Sequence, residues 1–138
     1  MKEAIAAYQE AIQHKPDYAD ALSNLGLAYS SLRQYRPAIE SLQQAVRLRP
    51  SSATAHYILG YVYSSAGRQK QAIQSYKQAI ILKPDLAEAH SNLALLYLQR
   101  GERALALEQY GLLKLMNYEM AEKLFALIYK DKILDAGR

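Results

Sequence analysis

Residues 4–16, AIAAYQEAIQHKP, return 68 positions later as AIQSYKQAIILKP at residues 72–84, with seven of thirteen residues identical. Worn copies stand at 38–50 (AIESLQQAVRLRP) and 106–118 (ALEQYGLLKLMNY), so the four starts, Ala4, Ala38, Ala72 and Ala106, are each 34 residues apart. The stretches between them repeat as well: DALSNLGLAYSSLRQ from Asp20, TAHYILGYVYSSAGR from Thr54 and EAHSNLALLYLQRGE from Glu88. A fixed period of about 20–50 residues constrains a chain more than any composition does, because each unit buries its apolar face mainly against its neighbours.

Each unit reads as two helices. In 53–66, Ala55, Ile58, Leu59, Val62 and Tyr63 recur at helical spacing and give one apolar face. Gly67 follows as a candidate left-handed cap. A second stripe, Ala72, Ile73, Tyr76, Ala79 and Ile80, runs to Pro84, which cannot continue a helix. Gly26 and Gly60 sit mid-helix at one repeat position, occupied by Ala94 in the third copy. Glycine there costs about 1 kcal/mol in helix propensity, so its presence predicts a close helix crossing. The expected helices are 2–14, 19–32, 35–48, 53–66, 69–82, 87–100, 103–116 and 119–131. The last presents Met120, Leu124, Phe125 and Ile128 inward and Glu122, Lys123 and Lys130 outward.

These residues carry a resemblance. Leu-Gly-x-x-Tyr in the first helix, glycine at the turn, Ala-x-x-x-Tyr-x-x-Ala in the second helix and a closing proline resemble the tetratricopeptide repeat (TPR) over residues 2–118. The resemblance implies an all-α, right-handed solenoid of antiparallel helix pairs. One such solenoid spans 1–138: a half repeat at 2–16, repeats at 19–50, 53–84 and 87–118, and a capping helix at 119–138. Two departures stand out: Arg33 replaces the turn glycine of the first full repeat, and Leu113 replaces the second small residue of the last.

Composition closes off several chemistries. The chain has no cysteine, hence no thiol nucleophile, disulfide or cysteine metal site. It has no glycine-rich phosphate loop, no His-Glu-x-x-His and no serine nucleophile motif. His56 and His90 share a repeat slot, but no carboxylate or third ligand shares it with them, so they are read as packing residues. No enzyme activity, cofactor or metal is expected. No run approaches the roughly 18 apolar residues of a membrane span, and the chain reads as soluble, with the cytoplasm as its expected place. The net charge is +4. The excess sits on second helices, as Arg47 and Arg49 and then Lys70, Lys77 and Lys83, and reads as a solvated face without the aromatic interleaving of a nucleic-acid surface.

The candidate site follows from the resemblance, which implies that first helices line a concave, peptide-binding groove. That lining includes Asn24, Leu27, Tyr57, Ile58, Tyr61, Asn92 and Leu95, and its first-helix positions carry no lysine or arginine. The Lys/Asn/Arg clamp with which chaperone-binding members hold a C-terminal carboxylate is therefore missing. Asn24 and Asn92 resemble instead the asparagine ladder in the repeat arm of O-linked N-acetylglucosamine transferase. Tyr57 and Tyr61 fall away from their helix's packing stripe and read as anchors for an apolar or mixed peptide or an amphipathic helix. The half repeat lacks its first helix, so Ile5, Tyr8 and Ile12 are candidates for self-association or for contact with a longer array. Three functions compete: a non-enzymatic protein-interaction scaffold, the adaptor arm of a larger enzyme such as a glycosyltransferase, and a basic-face binder of nucleic acid or an anionic surface.

Overall fold

The computed structural model describes residues 1–14 and 18–136, with side chains through residue 130. Among the described residues there are eight helices and no strand: α1 (Lys2–His14), α2 (Ala19–Ser31), α3 (Tyr35–Leu48), α4 (Ala53–Ser65), α5 (Gln69–Leu82), α6 (Ala87–Gln99), α7 (Arg103–Met116) and α8 (Tyr118–Ala136). They fall into two compact units, Met1–Lys83 and Pro84–Arg138. The closing residue of the half repeat, Pro16, lies outside the described residues.

The turns inside the repeats share one hydrogen-bond pattern. After α4, the Gly67 amide donates to the Ser64 carbonyl and the Arg68 amide to the Tyr63 carbonyl. The Ser30/Tyr29 carbonyls after α2 and the Leu98/Tyr97 carbonyls after α6 are satisfied in the same way. This is a Schellman closure, which requires a left-handed residue just past the helix. Gly67 and Gly101 supply it at φ 78° and 76°, and Arg33 supplies it at φ 58°. At the other ends α3, α5 and α7 run out into extended residues Arg49, Lys83 and Asn117. Proline follows the first two. After the third, the Asn117 side chain accepts the Met120 amide at 3.0 Å, so α8 starts at once.

The mid-helix glycines are where helices cross. A Cβ on Gly60 would stand 2.8 Å from Cδ1 of Tyr76, and one on Gly26 would stand 2.5 Å from Cγ of Leu42 and 3.1 Å from the Ala38 carbonyl. Tyr76 and Leu42 are fully buried. In the first unit, Gln9 Nε2 donates to the Tyr29 hydroxyl at 2.9 Å and Gln43 Nε2 to the Tyr63 hydroxyl at 3.0 Å. One repeated bond thus ties α1 to α2 and α3 to α4. It explains why these slots hold tyrosine rather than phenylalanine: a hydroxyl at the edge of the core finds a partner.

In the second unit, Ala121, Leu124 and Ile128 are the buried positions of α8, while Met120 is half-buried. Phe125, expected inward, is 40% exposed. Its ring lies instead between Tyr110, 5.4 Å away, and Tyr129, 4.6 Å away. The buried stripe of α8 runs through Ala121, Leu124 and Ile128, and Phe125, one residue round the helix from Leu124, falls at the edge of that stripe.

Candidate peptide-binding surface

In the first unit, α2 and α4 present neighbouring faces. Leu27 from α2 and Tyr57, Ile58 and Tyr61 from α4 line an open hollow of about 230 Å³. The two tyrosines differ in what holds them. Tyr57 is half-buried, with its ring 5.8 Å from that of Tyr76. Tyr61 is 49% exposed. An apolar hollow with an exposed aromatic edge matches the usual makeup of a recognition site, where a few large side chains supply most of the binding energy.

Beside it lies a larger hollow of about 430 Å³, lined by Leu27, Ser30, Ser31, Arg33, Tyr35, Tyr61 and Ser65. Leu27 and Tyr61 belong to both. Ser31 and Ser65 spend their hydroxyl protons on the carbonyls one turn back, Leu27 at 3.1 Å and Tyr61 at 3.0 Å. A third hollow, of about 150 Å³, brings Asn24 and Leu27 of α2 together with Met1, Ala4 and Tyr8. Asn24 is exposed there. The groove residues of the first unit thus meet around Leu27: Tyr57, Ile58 and Tyr61 in one hollow and Asn24 in another. Asn92 and Leu95 stand half-buried on α6 in the second unit.

Helix α1 has no buried residue; Ile5, Tyr8 and Ile12 are all half-buried. A further apolar surface was not foreseen from the sequence. In the second unit Leu105 and Leu112 are exposed at the slots of Gln71 and Gln78, and Leu115 is 87% exposed. Comparison of the copies position by position would have shown the change.

The two repeat histidines turn out to be structural links. His56 Nε2 is 3.0 Å from the Pro50 carbonyl, and His90 Nε2 is 2.8 Å from the Pro84 carbonyl, in each case six residues back. His90, 2% exposed, also meets Gln109 Oε1 through Nδ1 at 2.6 Å. Among the described residues no three His, Asp or Glu side chains gather as a metal site would need. Of the basic residues, Arg49 pairs with Asp20 at 3.3 Å, while Arg47, Lys70, Lys77 and Lys83 are exposed and make no ion pair among the described residues. No helix among the described residues is long and apolar enough to cross a membrane.

Two family profiles match the chain: one described as TPR repeat over residues 1–32 and 60–101, the other as Tetratricopeptide repeat over residues 19–52. No curated protein sequence matches it. Among solved structures it is similar to one titled "Crystal structure of MamA", at 32% identity and a TM-score of 0.82, over 94% of this chain and 77% of that one. TTC0263, a thermophilic TPR protein of Thermus thermophilus, is 27% identical with a TM-score of 0.78, over 88% of this chain and 70% of its own. A MamA of Desulfovibrio magneticus, residues 41 to the end, shares the fold at 20% identity and a TM-score of 0.78, over 86% and 67%. Period, turn chemistry, glycine crossings and these matches agree: the chain belongs to the tetratricopeptide repeat family, and its fold class is the all-α solenoid of that family.

Proposed function

We propose that this chain is a non-enzymatic interaction scaffold that holds a peptide segment of another protein on the α2/α4 face, centred on Leu27 and Tyr61. The family generally serves as a protein–protein interaction scaffold. The observation that carries the finer assignment is the exposure of Tyr61 beside the hollow of Leu27, Tyr57 and Ile58. Core slots of the same helix are filled by Leu59, Val62 and Tyr63, so Tyr61 contributes little to folding. Asn24 adds an open side-chain amide on the same helix as Leu27, suited to the backbone of an extended peptide. Tyr61→Ala is the clean test, because Tyr57 also packs on Tyr76. The substitution should leave the urea midpoint nearly unchanged and weaken partner binding, measured by calorimetry, by about 2 kcal/mol. Undiminished binding removes this face from the assignment.

A second reading concerns α1. Its apolar side chains Ile5, Tyr8 and Ile12 are covered on one side only, and no residue of the helix is buried. Apolar surface of that kind serves as an interface, and a second copy of the chain is the proposed cover. Ile5→Glu/Ile12→Glu should then lower the mass measured by light scattering at high concentration. A wild-type chain that stays monomeric throughout refutes this.

A further inference from the structure

The turn after α2 holds an arginine where the fold asks for glycine. At the same repeat slot Gly67 and Gly101 adopt φ 78° and 76°, and Arg33 is forced to φ 58°. A side chain in that region crowds its own backbone, which glycine avoids. Nothing in the first unit's folding is served by the exchange, since the Schellman bonds after α2 are the same as those after the glycine turns. The guanidinium makes no ion pair or hydrogen bond among the described residues. It lines the 430 Å³ hollow with Ser30, Tyr35 and Tyr61. Tyr35 and Ser30 likewise have side-chain hydroxyls without a partner among the described residues. No acidic residue lines this hollow, so its single positive charge is uncompensated.

We propose that the Arg33 hollow is a carboxylate subsite, which receives the Asp or Glu side chain of a bound peptide whose neighbouring apolar side chain fills the Leu27/Tyr61 hollow. The proposal rests on the groove reading given above and names its ligand. Charge complementarity selects the occupant. One guanidinium fork matches one carboxylate, with two parallel N–H···O bonds, and the Tyr35 and Ser30 hydroxyls are donors that an acceptor-only group can use. A doubly charged phosphate would call for a second cation, and the hollow has none. The two hollows share Leu27 and Tyr61. An acidic and an apolar residue close together in the peptide therefore reach both, as side chains on one side of an extended strand do.

The test uses the full chain and a phage-displayed library of random dodecapeptides. Selected peptides should carry Asp or Glu close to a leucine, phenylalanine or tyrosine. The best of them is then synthesised with glutamate, glutamine or phosphoserine at the acidic position, and its affinity is measured by fluorescence anisotropy. Glutamine in place of glutamate should weaken binding about tenfold on the wild type and hardly at all on Arg33→Gly, the signature of a charge-assisted pair. Arg33→Gly relieves the turn, so lost binding cannot be ascribed to misfolding. If Arg33→Gly binds like the wild type while Tyr61→Ala does not, the subsite is refuted and the groove reading stands. Peptides indifferent to both substitutions, or a library that yields no binders, refute both. Tighter binding of the phosphoserine peptide overturns the carboxylate assignment.

Discussion

One substitution, glycine to alanine, should have opposite signs at different positions of this chain, and the structure supplies the magnitudes. At Gly111, on the exposed side of α7, a new Cβ meets nothing within 4 Å. Only helix propensity acts there, and alanine should stabilise by about 0.8–1 kcal/mol. At Gly60 the same propensity gain applies, but the Cβ would lie 2.8–3.2 Å from three atoms of the Tyr76 ring. That ring is 1% exposed and rests against Tyr57, so it has little room to retreat. Overpacking costs about 1–3 kcal/mol, which leaves a net loss of roughly 1 kcal/mol after the propensity gain is subtracted. At Gly26 the obstacle is Cγ of Leu42, a branch point rather than a chain end, with the Ala38 carbonyl behind it. The net loss there should be larger, about 2 kcal/mol. At Gly67 space is free but φ is 78°, and alanine should cost about 1 kcal/mol from backbone crowding alone. The reverse exchange, Arg33→Gly, should return about the same amount. Urea unfolding followed by helical circular dichroism measures all five. The crossing argument is refuted if Gly60→Ala and Gly111→Ala shift the midpoint in the same direction, and the turn argument if Arg33→Gly destabilises.

The histidine links give a second measurement. His90→Leu removes a buried ring that bonds both the Pro84 carbonyl and the Gln109 side chain and should cost about 1–3 kcal/mol, while His56→Leu, at a half-buried site with one partner, should cost less; equal urea midpoints for the two would refute the link. Residual basic character is tested with salt. Arg49 is paired with Asp20, and neither Lys70 nor Lys77 stacks on an aromatic ring among the described residues, so duplex DNA or RNA should bind only at the generic level at physiological salt; submicromolar binding abolished by Lys70→Glu/Lys77→Glu in a filter assay would overturn this.

How much of this was legible in the sequence differs between fold and surface. The first seven helices lie within one residue of their expected ends, because the signals that end them are local. Proline after α3 and α5 removes a backbone donor, and glycine after α4 and α6 permits the left-handed cap. The last helix also begins within one residue of its expected start, but it runs on to Ala136, past the expected end at 131. Asn117 and Tyr118 replace the residue before the proline and the proline itself, so a cap takes the place of a stop, and α8 begins at Tyr118. The glycine crossings were legible as crossings, but not their opposing atoms. The structure places Leu42 and the Ala38 carbonyl opposite Gly26, and the Tyr76 ring opposite Gly60. A repeat tells which residues are small, while which side chain turns toward them depends on rotamers set in three dimensions.

The candidate site was legible only as far as the repeat register carries. Leu27 and Tyr61 share a register position, and that was enough to put them on comparable faces of α2 and α4. Tyr57 looked equally free, since nothing in its own helix needs it; its neighbour Tyr76 comes from α5, across the crossing. Arg33 was the opposite case. It was visible as a missing glycine, a local defect at a turn, and the first-helix lining of the groove was read as free of positive charge. The structure changes its meaning by placing that turn at the end of the α2/α4 face, where the long side chain of a cap residue reaches a hollow lined by α2, α4 and Tyr35 of α3. In a repeat protein the copies act as controls for one another. Gly67 and Gly101 show the unstrained form of the turn, so a departure that strains the backbone while leaving the turn's hydrogen bonds in place points away from folding and toward what the side chain touches.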